Sequence, residues 1–110
     1  MKREDLYFTD NCPTCNILLI PEEDLYGKIS FNCPKHYQYD KINDVSAHVR
    51  LFSDEYNLGV ISFTHSIHIF DGSFKIDQIL KNFKNIDKIL ENSKSIPDFF
   101  SKIKKFVILQ

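Results

Sequence analysis

Glycine and proline are scarce in this 110-residue chain, at three and four residues. That scarcity argues against a long disordered linker or a low-complexity tail, which lean on both residues. It also excludes two phosphate-binding devices. With three scattered glycines, neither a P-loop nor a G-x-G-x-x-G turn can be written. No G-x-S-x-G and no H-E-x-x-H occurs, so those hydrolase and zinc-protease signatures are missing. No segment reaches the roughly 18 to 20 consecutive apolar residues that span a bilayer. Met1-Lys2-Arg3 runs straight into Glu4 and Asp5 with no apolar stretch behind. We therefore expect no signal peptide, no membrane partner and a cytoplasmic location. In that reducing environment the three cysteines read as metal ligands or free thiols rather than disulfides.

What is present is enough for a core. Hydrophobic residues make up 43% of the chain, charged residues 26%, and ten Phe and five Tyr supply large apolar surfaces. The length fits one compact unit with a small metal-stapled lobe at one end. The net charge of −1 hides an asymmetry. Residues 1–74 carry 6 Lys/Arg against 11 Asp/Glu, and residues 75–110 carry 8 Lys against 4. An acidic front and a basic rear imply different partners.

All three cysteines lie in the first 33 residues. Cys12-Pro13-Thr14-Cys15 is a C-x2-C, and Cys33-Pro34-Lys35-His36 is a C-x2-H. A two-residue gap lets one tight turn aim two ligands at one ion, and two such turns complete a tetrahedron. The spacing therefore predicts one structural Zn2+ held by Cys12, Cys15, Cys33 and His36. Four protein ligands close the site, whereas hydrolytic zinc keeps a position open for water. The segment between the turns must leave and return, which predicts a hairpin. Residues 16–20 form one arm and residues 27–31 the other, with residues 21–24 as the loop and Pro21 as a stop. Knuckle turns favour a left-handed residue after the second ligand, and Asn16 stands there. Iron or another metal, a redox-active Cys12–Cys15 pair, and unrelated free thiols are the alternatives.

With these four residues as its carriers, the stretch over residues 7–40 resembles the zinc-ribbon class, in which two knuckles at neighbouring hairpin tips clamp one zinc. The departure is His36, where most ribbons have a fourth Cys. The class serves nucleic-acid and protein-docking proteins alike, so it implies no single role. More loosely, a ribbon followed by a Lys/Ile-rich end is similar to small zinc-ribbon proteins of tailed bacteriophages. A phage origin would make the location host cytoplasm.

Beyond the ribbon, residues 47–52, 58–63 and 67–70 alternate or run as strands, with residues 53–57 as a connecting loop. Asp71-Gly72 is a hairpin signal, with residues 73–76 as a short returning strand or the lead into a helix. From Asp77 the period changes to helical steps through Leu90. A second helix starts at Ser95-Ile96-Pro97-Asp98, which resembles a capping box with proline in the first turn. Phe99, Phe100, Ile103, Phe106 and Val107 form its apolar side.

The expected fold class is thus α+β: an N-terminal zinc ribbon over residues 1–42, then a short antiparallel β-sheet and two C-terminal amphipathic helices over residues 43–110, packed as one unit. His48, His65 and His68 read as ordinary histidines, the last two on opposite strand faces because their separation is odd. The tyrosines near the knuckles read as packing around the metal turns. The expected function is a noncatalytic accessory or adaptor module that docks onto a protein partner. The alternative is nucleic-acid binding through Lys81, Lys84, Lys88, Lys102, Lys104 and Lys105, against which the acidic ribbon half weighs.

Overall fold

The computed structural model describes residues 1–41, 47–72 and 86–108. Its frame is one antiparallel sheet of six strands in chain order: β1 (Ile20–Glu23), β2 (Ile29–Asn32), β3 (Tyr37–Lys41), β4 (Ala47–Ser53), β5 (Leu58–Phe63) and β6 (Ile67–Asp71). A short 3-10 helix, Arg3–Leu6, precedes the sheet, and helices α1 (Ile86–Glu91) and α2 (Ile96–Ile108) follow it. The fold is an α+β mix, as expected. The sheet is longer than expected, because the hairpin assigned to the ribbon is its first two strands. Residue 42 falls between β3 and β4, which pair along their length from Tyr37↔Ser53 to Lys41↔Val49.

Period-two alternation decides which side chains reach the core. Tyr39, Leu51, Val60 and Ile69 are cross-strand partners in one row over four strands, and all four are buried. Tyr37 and Leu58 extend the same face. The helices cover it. Phe99, Phe100 and Ile103 of α2 are fully buried, and the Phe100 ring stacks on Tyr56 and tilts against Tyr37, with centroids 5.9 and 6.0 Å away. Each of these three side chains contributes roughly 1.5–3 kcal/mol of transfer free energy. Leu6 joins the same core from the N-terminal segment.

The start of α2 departs from a capping box by one residue. The Asp98 amide donates to Ser95 Oγ at 3.2 Å, as a cap requires. The Asp98 carboxylate accepts from the Lys94 amide at 2.9 Å rather than from that of Ser95. The expected helix from Asp77 is described only as α1, and the expected segment 73–76 lies outside the described residues.

The hairpin arms also differ from expectation. Pro21 does not stop a strand; it sits inside β1, paired with Phe31. An edge strand tolerates a residue without an N–H. Glu22 and Glu23 are likewise strand, and the turn begins at Asp24. There Asp24 Oδ1 accepts from the Tyr26 and Lys28 amides at 2.8 and 2.9 Å, and Gly27 takes φ 78°.

On the opposite sheet face, Asp40 is buried and ion-paired with Arg50 across the β3–β4 ladder, with Lys28 Nζ at 3.8 Å. Beside this pair, Phe52, Gly59 and Phe70 are successive cross-strand partners. The Phe52 and Phe70 rings stack at 6.2 Å. The Phe70 ring occupies the space a side chain at position 59 would need: an added Cβ would fall 1.8 Å from Phe70 Cζ. Gly59→Ala should therefore destabilise the fold by about 1–3 kcal/mol, because the ring must leave its buried place. Urea denaturation checks this. The same change in a Phe70→Ala background should cost much less, and an equal cost in both backgrounds would refute the ring as the cause.

Candidate metal centre

Two tight turns form the site, one before β1 and one after β2, both at the open end of the hairpin. The first closes a small loop over residues 10–19. Asn11 and Leu18 form an isolated antiparallel bridge, and the Leu19 amide donates to the Asp10 carbonyl at 2.9 Å. Within it the Cys12 amide donates to the Ile17 carbonyl, and the Asn16 amide to the Cys12 carbonyl, both at 2.8 Å. Asn16 takes φ 55°, the left-handed state the sequence predicts there. Residues 16–19 are thus the returning arm of this loop, not a sheet strand.

The second turn joins β2 to β3. The Cys33 amide donates to the Tyr37 carbonyl at 2.6 Å. The amides of His36 and Lys35 donate to the Cys33 sulfur. Two N–H groups aimed at one sulfur stabilise its thiolate, as a metal-ligating cysteine needs.

The turns bring Cys12, Cys15 and Cys33 together, with all three sulfurs within 4.8 Å of one another. Cys12 is 1% exposed, Cys33 8%, and Cys15 is half-buried. Tetrahedral zinc with bonds of about 2.3 Å needs sulfurs about 3.8 Å apart, and the three lie within about 1 Å of that spacing or closer. No other metal-ligating group of three is found among the described residues.

The sulfurs perturb one another. Burial raises the Cys33 thiol, but the His36 and Lys35 amides and the two neighbouring thiols outweigh it and bring it down to about 7. Burial, the bond to Cys33 and the Cys12 charge push Cys15 up to about 12. Near neutral pH the cluster thus keeps a proton on Cys15 while Cys33 is the sulfur that most readily gives its proton up. A cation would replace those protons.

Tyr39 completes the surroundings. Its hydroxyl lies 3.3 Å from Cys12 Sγ. Burial first, then the bond to Cys12, hold the phenol far above its usual value. It therefore stays protonated and donates to the sulfur whenever Cys12 is a thiolate. Its ring also meets Phe8 at 5.3 Å. The sequence suggests only general packing for the tyrosines near the turns. Tyr39 has this specific contact, whereas Tyr26 is almost wholly exposed. The Tyr37-x-Tyr39 alternation is the one signal in the sequence that could have marked it.

His36 is not brought into the sulfur cluster. Its ring lies edge-on to Tyr37 at 6.0 Å. Its backbone is held on both sides, the amide on Cys33 Sγ and the carbonyl accepting from the Asp54 amide at 2.9 Å.

The other named residues are dispersed. The His48 side chain, Lys81 and Lys84 lie outside the described residues. His65 stands exposed in the β5–β6 turn rather than on a strand, so the opposite-face argument does not apply to it. His68 lies on β6, with Nε2 2.8 Å from Ser66 Oγ. Lys88 and Lys105 are exposed. Lys102 pairs with Asp98 at 3.3 Å and donates to the Asn92 carbonyl at 2.6 Å, and Lys104 donates to the Tyr56 carbonyl at 3.3 Å.

Comparison with protein-family models, curated proteins and solved structures finds no match.

Proposed function

We propose that this chain is a noncatalytic docking module whose N-terminal third is stapled by one structural zinc ion on Cys12, Cys15, Cys33 and His36. The observation that carries this reading is the meeting of three sulfurs from two separate turns, one of them with two amides already aimed at a sulfur. Soft thiolates in a tetrahedral arrangement select zinc among common divalent ions, with iron as the nearest competitor.

His36 supplies the fourth ligand by turning its ring about its side-chain torsions. It stands at the fourth position of the C-x2-H turn that already carries Cys33. Four protein ligands leave no place for water, which makes the ion structural. In this reading the two turns are the knuckles of a Cys3His zinc ribbon, with β1 and β2 between them.

Docking onto a protein is favoured over nucleic-acid binding by the surface that remains. Lys102 and Lys104 are engaged with groups of the chain itself, and the site sits in the acidic half. Three thiolates on one Zn2+ make that half more negative still.

Elemental analysis should find one zinc per chain, and cobalt substitution should give thiolate charge-transfer absorption. Cys12→Ser, Cys15→Ser or Cys33→Ser should each abolish tight binding. His36→Ala should weaken it by more than the roughly 10- to 100-fold of an outer-shell change such as Tyr39→Phe. Chelation should unfold residues 7–40, seen as lost amide protection, because metal binding there is part of folding. Absence of zinc, or an unchanged lobe after chelation, would refute the staple. Unaltered affinity in His36→Ala would place the fourth ligand elsewhere.

A further inference from the structure

Among the described residues, the large exposed apolar side chains gather on the β1–β2 hairpin and the loop arm leading into it. Leu25 is 100% exposed, Tyr26 94%, Leu18 66%, and Ile20 and Ile29 50% each. Scattered surface hydrophobics need no explanation, but five gathered on one hairpin and its entry do. The register puts Ile29 opposite Glu23, three residues from Ile20, so the two isoleucines lie on opposite faces of the hairpin. The element is therefore a sheet-edge finger, with β1 exposed on both faces, β2 paired to β3, and an apolar tip, not a flat patch.

The tip is held in shape. Asp24 accepts from the Tyr26 and Lys28 amides through its side chain and from the Gly27 amide through its carbonyl. The Asp24 amide closes the turn onto the Lys28 carbonyl at 2.9 Å. Leu25 and Tyr26 are thus presented by an ordered turn, which lowers the entropy lost on binding. Exposed Tyr on a rigid turn is a common binding anchor.

Charge identifies the occupant. Glu22, Glu23 and Asp24 run into the tip, and Glu22 and Glu23 have no ion pair among the described residues. The nearest cation of the hairpin, Lys28, is 3.8 Å from Asp40. Pro21 removes an N–H from edge strand β1, which disfavours extending the sheet by a partner's strand. Two copies meeting finger to finger would oppose their acidic runs. An anionic membrane would repel them.

We propose that the β1–β2 hairpin inserts into a groove of a partner protein that is apolar at its floor, to receive Leu25 and Tyr26, and basic at its rim, to face Glu22 and Glu23. This rests on the docking reading above and names its contact surface.

The test is site-specific photo-crosslinking in the native cell. A benzophenone side chain is placed at position 26 and, as a control, at exposed position 105. The proposal expects position 26 to capture a different protein. That protein, purified, should bind the wild-type chain with affinity that falls as salt rises, and Leu25→Asp should weaken binding by roughly 30-fold or more. Leu25 is wholly exposed, so this variant should keep the wild-type circular dichroism and melting. Capture from position 105 alone would overturn the hairpin proposal and leave docking standing. Capture from neither position would overturn both. Capture of a second copy, or flotation of the wild-type chain with phosphatidylcholine vesicles that Leu25→Asp abolishes, would overturn the assigned occupant.

Discussion

Three sulfurs within 4.8 Å of one another cannot all be thiolates without something to offset their charge. Either protons or a cation must do it, and the N-terminal third is arranged around that constraint. Two turns from separate loops converge on one point, and each spends backbone hydrogen bonds on holding its cysteines there. The left-handed Asn16 and the amides on Cys33 have little purpose in a loop that only connects strands. They hold the three sulfurs at one point.

Tyr39 ties this constraint to the rest of the molecule. One end of its side chain touches Cys12 Sγ, and its backbone belongs to β3, between β2 and β4. Its row partners Leu51, Val60 and Ile69 carry the same face across the sheet to the last strand. The sulfurs and the hydrophobic core are therefore one packed region; Cys12 and Cys33 belong to the same buried cluster as Phe99 and Ile103. The ladder from β3 to β4 joins this region to the strands beyond.

The parts of the fold legible in sequence are those where local chemistry and tertiary role agree. The C-x2-C turn with Asn16, the alternating strands at residues 47–52 and 67–70, and the Ser95-to-Asp98 helix start each carry their own signal. The parts that sequence misplaces depend on position in the sheet. Pro-Glu-Glu reads as loop anywhere except on an edge strand whose turn is fastened by Asp24. Tyr37–Lys41 does not read as a strand because Asp40 looks like surface charge until Arg50 faces it across the ladder. In the site, the meeting of Cys12, Cys15 and Cys33 follows from spacing, but the orientation of the His36 ring is a side-chain torsion that spacing does not encode.

The meander has a consequence for assembly. Every sheet neighbour is also a chain neighbour, so each ladder closes a short loop and forms early at low entropic cost. The exception is the first turn of the chain. Arg3 pairs with Asp87 at 2.9 Å and donates to the carbonyls of Phe63 and Thr64. That contact spans 84 residues and must wait for α1 to exist. The contacts of Arg3 thus form only after distant elements are in place, and Arg3 acts as a latch closed over a sheet already built.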